Sequence, residues 1–435
     1  MTSVVGILNK RGVALAADSA VTRQRRKDGR REEKYTKNGN KMVRLSDAVP
    51  VVVMITGNAD YLTTPWDVIV RRYRQKRGQF AHPTVEDAVH DFFEFIQSEP
   101  IFWNEACERY LASIIHHIFD AILGQMDEEK ERKDDGLLQR PASFVRTFRR
   151  IAASMRKESE RKGICPQFRD YPVERFREAA RGVFDSFLDH HDEENCGFFD
   201  EDAFPRDILD EIRPDLEEAV WMALRTRNED GPSAELIFTG FGQGQLFPSL
   251  VAVAVCEGYD RRVNYHIRLE DIVCISDDRP VAICPFAQKD VIRSVLRGLH
   301  RGCSDPIVNA FDQLFSPYFS DVFTPSLDEE GPGFEFNEML SEVRVDDLKS
   351  KLVRDGMRML NKNQRAWEKT LEDSDLESLA SLADSLIDLT GFHRILTFSQ
   401  EGVGGPVDVA VISKNDGFTW IRRKSWYHKD GPMGV

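Results

Sequence analysis

Apolar positions along the chain fall into two rhythms that alternate in five blocks. From residue 3 to 61 they come in short valine-rich runs, SVVGILN, VALAADSAV, KMVRLSD and VPVVVMITG, bounded by Gly, Asp, Pro and Asn. Runs of this kind predict largely buried antiparallel strands. An NKRG turn joins the first two, which puts Asp18 at the end of a strand lying against the first. From about 59 to 228 the apolar spacing becomes helical. ADYLTTPWDVIVRRYRQKRG carries Pro65 where a first helical turn tolerates it, and Thr84 is placed to N-cap VEDAVHDFFEFIQ. Four further amphipathic segments follow, and no 20–50-residue period recurs among them, which excludes a solenoid.

Strands return at AELIFTGFG, LFPSLVAVAVCEG, RRVNYHIRLED and RPVAICPF, and a helix, AQKDVIRSVLRGLH, comes next. The stretch from 304 to about 345 is rich in turn formers, and two long helical patterns cover 344–373 and 375–391. Strands close the chain at PVDVAVISK and GFTWIRRK, and could pair beside the first ones. Sheets and helices thus segregate along the chain, unlike the alternation of a doubly wound parallel fold, and the expected class is α+β.

Composition narrows the function. With 41% hydrophobic and 30% charged residues, the chain of 435 residues can bury a large core. A net charge of -14 argues against nucleic acid as a partner, since that affinity rests on neutralising phosphates. The basic run RQRRKDGRREEK at 23–34 is interleaved with acids and reads as a solvated loop. The seven cysteines form no C-x-x-C pair, so neither a disulfide framework nor a zinc ribbon is expected, and reduced thiols in a cytoplasmic protein are the simpler account. No apolar run is long enough to span a membrane, and Asn9, Lys10 and Arg11 break the first one too early for a signal peptide.

The candidate chemistry sits at the start. If Met1 is removed, Thr2 carries a hydroxyl nucleophile and a free α-amine whose ordinary pKa, about 7.7–8.0, suits a general base. Such a pair needs a cation nearby and a carboxylate to hold that cation. Asp18 ends the neighbouring strand, and Lys41 opens a following one.

TSVVGILNKRGVALAADSAVT resembles the opening of a proteasome β-subunit or its bacterial relatives, members of the N-terminal-nucleophile hydrolases. The resemblance continues through NGNKMVRLSD and VPVVVMITGNADYL, and more loosely over 235–301 and 380–424. It implies a four-layer α-β-β-α sandwich, with parts at 2–80, 231–303 and 379–435 and helical insertions at 81–230 and 304–378. It further implies that Thr2 attacks a peptide carbonyl, that Lys41 assists and that Asp18 positions Lys41. Gly57 in ITGNAD matches the glycine turn whose N–H stabilises the oxyanion, and Val21 and Thr22 match the edge that pairs with substrate backbone. No cofactor or metal is implied, and relatives assemble into rings, so a homo-oligomer is expected. Two supporting positions depart from the pattern. CPFAQ offers no hydroxyl where the family carries a serine, and SQEGVGG places Gln400 or Glu401 near an aspartate position and Val403 in place of a serine. The alternatives left open are an inactive proteasome-like scaffold or binding subunit, and a small-molecule amidase of the same superfamily.

Other clusters read as structural. LDHHDEENC at 188–196 is a helix end and acidic loop, because adjacent helical histidines point about 100° apart. His116 and His117 sit in an apolar helix and are expected to pack or cap. GFGQGQ at 240–245 joins two strands, not a strand and a helix, so a hairpin connection is expected over a phosphate cradle. Phe92, Phe93, Phe95, Phe102 and Trp103 are expected in the core of the helical block.

Overall fold

The computed structural model describes residues 3–27, 30–36, 39–103, 105–132, 140–189, 206–227, 234–297, 365–397 and 405–424. The architecture is mixed α+β with antiparallel sheets. In chain order the first strands are β1 (Ser3–Asn9), β2 (Gly12–Asp18), β3 (Val21–Lys27), β4 (Arg30–Thr36), β5 (Met42–Arg44), β6 (Val51–Gly57), β7 (Asp60–Tyr61) and β8 (Thr64–Pro65). Helices α1 (Trp66–Arg77), α2 (Val85–Ser98), α3 (Glu105–Arg132), α4 (Arg140–Lys162), α5 (Val173–Asp189) and α6 (Arg206–Arg225) follow. Then come β9 (Ala234–Gly240), β10 (Ser249–Val255), β11 (Tyr265–Cys274), β12 (Val281–Ala287), α7 (Lys289–Arg297), α8 (Leu376–Thr397), β13 (Val407–Ser413) and β14 (Gly417–Arg422). No described helix is long and apolar enough to cross a membrane.

The chain divides into two compact units, Met1–Gly39 with Cys274–Val435, and Asn40–Val273. The first holds a five-stranded sheet in the order β12-β1-β2-β13-β14, with every pairing antiparallel. The closing strands do pair beside the opening ones: Val407 stands opposite Asp18, and Ser3 opposite Ala287. Val5, Ile7, Ala14, Ala16, Val409 and Val411 pack against Ile292 of α7 and Leu379, Ala383 and Ile387 of α8. The alternate residues Val4, Leu8, Val13, Leu15, Ala410 and Ile412 are equally buried. Burial on both faces explains why these strands read as continuous apolar runs and not as an alternation.

The second unit is built on a sheet in the order β11-β10-β9-β6-β5. Val51, Val53, Ile55, Leu236, Phe238, Val251 and Val253 share one core with Trp66, Tyr73, Phe92 and Phe93, and this core runs on through Phe119, Phe144, Phe148 and Phe176. The helical block and the sheet are therefore one packing unit. Of the expected aromatics, Phe92, Phe93, Phe95 and Phe102 are buried in the core, with Phe93 stacked on Tyr265 at 3.9 Å, whereas Trp103 is only partly buried and packs against its edge. Val52, Met54, Ile237, Leu250 and Ala252 are buried on the other face of this sheet.

Local chemistry accounts for the boundaries. Thr84 caps α2 as expected, in a reciprocal box with Asp87. Pro65 is the N-cap of α1, one residue earlier than the first turn, because 60–65 form the small β7–β8 ladder. The GFGQGQ segment connects antiparallel β9 and β10. A Cβ at Gly242 would lie 2.3 Å from the Pro83 carbonyl oxygen, and the Gln245 carboxamide accepts the N–H groups of Gly242 and Val85. That segment is a packed turn. His116 and His117 bond through Nδ1 to the carbonyls of Ala112 and Ser113 in their own helix.

The charged run at 23–34 departs from the loop expectation. It lies within two paired strands, β3 and β4, which join neither large sheet. The Asp-Gly pair at 28–29 is a strong hairpin turn signal in the sequence, and the ladder runs from Val21 opposite Thr36 to Lys27 opposite Arg30. The turn-rich 304–345 stretch, most of the 344–373 helix, and the histidines and cysteine of LDHHDEENC lie outside the described residues.

Candidate active site

Antiparallel pairing of β1 and β2 carries the end of one strand back to the start of the other. Asp18 is buried there, and its Oδ1 accepts the backbone N–H of Ser3 at 2.9 Å. A charge-assisted bond of this kind is worth about 1.5–3 kcal/mol, and it ties the carboxylate to the residue directly after Thr2. Thr2 itself lies outside the described residues, as do Gln400 and Glu401. Val21 and Thr22 open β3, two residues beyond Ser19.

The end of β2 is braced by groups that the motif reading did not single out. Ser19 donates through Oγ to the Pro406 carbonyl at 2.7 Å, and its own carbonyl accepts the Gly39 N–H at 2.9 Å. Gly39 in turn accepts from Lys424 Nζ at 2.5 Å. Lys424 Nζ sits 3.0 Å from Asp408 Oδ2, and the Lys424 N–H donates to Oδ1 of the same carboxylate at 2.9 Å. Both side chains are almost wholly buried, at 0% and 4% exposure. Asp408 stands opposite Ala17, one place from Asp18 in the register. Its signal in the sequence is a single acid inside the apolar run VDVAVI.

On the other side of β1, Ala287 faces Ser3 with a φ of +61°, the left-handed region that costs a residue with a Cβ. Gln288 follows and is buried. Its Oε1 accepts from Arg394 Nε at 2.6 Å, while Arg394 also grips both oxygens of Asp290 at 2.7 Å. Among the described residues neither Gln288 Nε2 nor Ser3 Oγ has a hydrogen-bond partner. The CPFAQ segment, which lacks a hydroxyl, forms the end of β12 up to Ala287 and thus brings the buried Gln288 to the start of β1.

Lys41 and Gly57 belong to the second unit, and Asp18 to the first. Lys41 is buried, and its carbonyl accepts the Ile55 N–H at 2.9 Å. The β5–β6 register, Met42 opposite Met54, puts Lys41 and Gly57 at the same end of that strand pair. Gly57 ends β6 exposed, with a φ of +74°, a conformation that glycine adopts without the usual Cβ penalty. Just beyond it, Leu62 and Thr63 also take positive φ in the β7–β8 turn. Glu257 accepts the Leu62 backbone N–H, and burial pushes the Glu257 carboxyl above its ordinary range.

Among the described residues no group of three or more His, Cys, Asp and Glu side chains is placed to hold a metal ion. Burial pushes the Cys165 thiol up to about 12 and the Cys256 thiol up to about 11, which leaves both protonated near neutrality. Compared with models of known protein families and with curated proteins, the chain matches none.

Proposed function

We propose that the protein is an N-terminal threonine hydrolase that cleaves peptide amide bonds through an acyl-enzyme ester on Thr2, once Met1 has been removed. In this reading the α-amine of Thr2 takes the hydroxyl proton and returns it to the leaving amine, Lys41 favours the ionised hydroxyl, and Asp18 orients Lys41. The Gly57 N–H stabilises the oxyanion, a contribution on the order of 3 kcal/mol. Val21 and Thr22 pair with the substrate backbone as an added strand. The observation that carries the reading is the buried Asp18 carboxylate held on the N–H of Ser3, the residue next to Thr2.

Two antiparallel five-stranded sheets, each helix-packed on one face and buried on the other, support the four-layer α-β-β-α sandwich. We further propose a cytoplasmic homo-oligomer of ring type. Intact mass of the purified protein and labelling with a peptide epoxyketone test the mechanism. Loss of Met1, labelling of the wild type and no labelling of Thr2→Ala are expected; retained Met1, or equal labelling of the variant, would falsify the nucleophile assignment.

A second reading, a non-catalytic scaffold of the same fold, is favoured by Ala287 and Gln288 standing where the family carries a serine. It predicts that no amide in a substrate panel is cleaved although Met1 is absent. Turnover of short amides but not peptides in the same panel identifies a small-molecule amidase instead.

A further inference from the structure

Away from this site, the helical block contains a cavity of about 480 Å³ between the C-terminal ends of α4 and α6. Its walls are fixed by backbone pairing. Ile164 bridges Thr226, the Arg227 N–H donates to the Gly163 carbonyl at 3.0 Å, and the Cys165 N–H donates to the Arg225 carbonyl at 2.9 Å. Thr226 Oγ1 also reaches Ser159 Oγ at 2.7 Å, tying the two helix ends together. The volume is that of a small-molecule pocket.

Four arginines line it, Arg156, Arg169, Arg225 and Arg227, against one carboxylate, Glu160. A basic residue at a helix C-terminus complements the dipole, and that accounts for one of them. It does not account for the lack of partners. Of the four, Arg156 holds Glu218 at 2.7 Å, and elsewhere in the same block Arg149, Arg175, Arg177 and Arg213 each hold a carboxylate within 3.1 Å. The chain has 73 acidic residues for 59 basic ones, so carboxylates are not scarce. Yet Arg169, Arg225 and Arg227 pair with none among the described residues.

The Arg225 guanidinium lies over the Trp221 ring at 3.9 Å. Stacking occupies the face of the guanidinium and leaves its in-plane N–H edge free to donate. The Trp221 indole N–H bonds to the Tyr171 carbonyl, which fixes the platform. Arg227 Nε is buried without a hydrogen-bond partner among the described residues. Burial also disfavours the charged form of Arg225, a cost that a bound anion would offset.

We propose that this cavity binds a small molecule bearing a di- or triphosphate group. Three unpaired guanidiniums call for several negative charges in one compact group, which a phosphoanhydride supplies and a single carboxylate does not.

Isothermal titration of the full chain with pyrophosphate, at roughly physiological salt to screen non-specific attraction, tests this. Saturable binding to the wild type is expected, weakened roughly tenfold or more in Arg225→Ala and Arg169→Gln. Arg149→Ala, whose guanidinium pairs with Glu211 outside the cavity, is expected to bind as the wild type does. Arg169 is exposed, so its variant decides the matter should Arg225→Ala fold poorly. No binding to the wild type, equal affinity in all variants, or citrate binding as tightly as pyrophosphate overturns the proposal.

Discussion

Asp18 does two jobs that separate substitutions distinguish. Its carboxylate accepts the Ser3 N–H, so Asp18→Ala removes that acceptor from a buried amide, at a cost of about 1–3 kcal/mol. Asp18→Asn keeps an acceptor oxygen but loses the charge that the mechanism assigns to orienting Lys41. Thermal unfolding should therefore show Asp18→Asn close to the wild type and Asp18→Ala well below it, while both lose at least about 100-fold in turnover of an amide substrate. Wild-type turnover in Asp18→Asn would remove Asp18 from the mechanism. Lys424 and Asp408 give a sharper stability test, because the pair is almost wholly buried. Lys424→Met strands a buried carboxylate and should cost about 3–5 kcal/mol by urea denaturation, whereas Lys424→Met with Asp408→Asn, which removes the charge and keeps an acceptor for the N–H of residue 424, should recover part of that loss. Asp18 was legible in the sequence because it ends a strand joined to the first by a short turn. Gln288, Asp408 and Lys424 were not, because only the sheet register brings residues more than 250 positions away to the end of β2 and the start of β1.

At the scale of elements, end chemistry was legible wherever a local rule governed it. Thr84 and Asp87 form the box that their spacing predicts, and the Thr84 hydroxyl satisfies a helix N–H that has no partner within the helix. Thr84→Ala should lower stability by about 1 kcal/mol, and Thr84→Ser by much less, in matched urea titrations. Equal midpoints for all three proteins would show that Gln245, which accepts the adjacent Val85 N–H, suffices to cap α2. The β3–β4 hairpin was missed for a physical reason. Strand reading relies on a buried face, and a run of Arg, Lys and Glu shows no hydrophobic alternation even where its backbone pairs in a ladder. The start of α1 was misplaced by one residue because the β7–β8 ladder takes the residues before it, with Leu62 and Thr63 at positive φ, which nothing in a Leu-Thr pair announces.

At the scale of the whole molecule, the order of strands, helices and strands was legible, but the packing units were not. Helices α1–α6 follow the first strands as a block, yet their core is continuous with β6, β9 and β10, because phenylalanines from both sets fill one interior. The first unit joins the opening strands to the closing ones, a pairing of high sequence separation that local pattern only suggests. The large core of the second unit also imposes a pH dependence on the stability of the protein. Glu257 keeps one hydrogen bond, from the Leu62 N–H, but burial dominates and raises its folded-state pKa above the ordinary 4.5. Below that ordinary value both folded and unfolded chains hold the proton, and the carboxyl costs nothing. As pH rises, the unfolded chain ionises first, so the stabilising contribution of the neutral carboxyl is lost progressively until the folded-state pKa is passed. Glu257→Gln keeps an acceptor for Leu62 without the charge. The melting temperature of the variant should match the wild type near about pH 4, exceed it increasingly above that, and hold a constant lead once the buried carboxyl has ionised. A difference that stays flat from about pH 4 to pH 8 would show that Glu257 ionises in the fold as readily as in the unfolded chain.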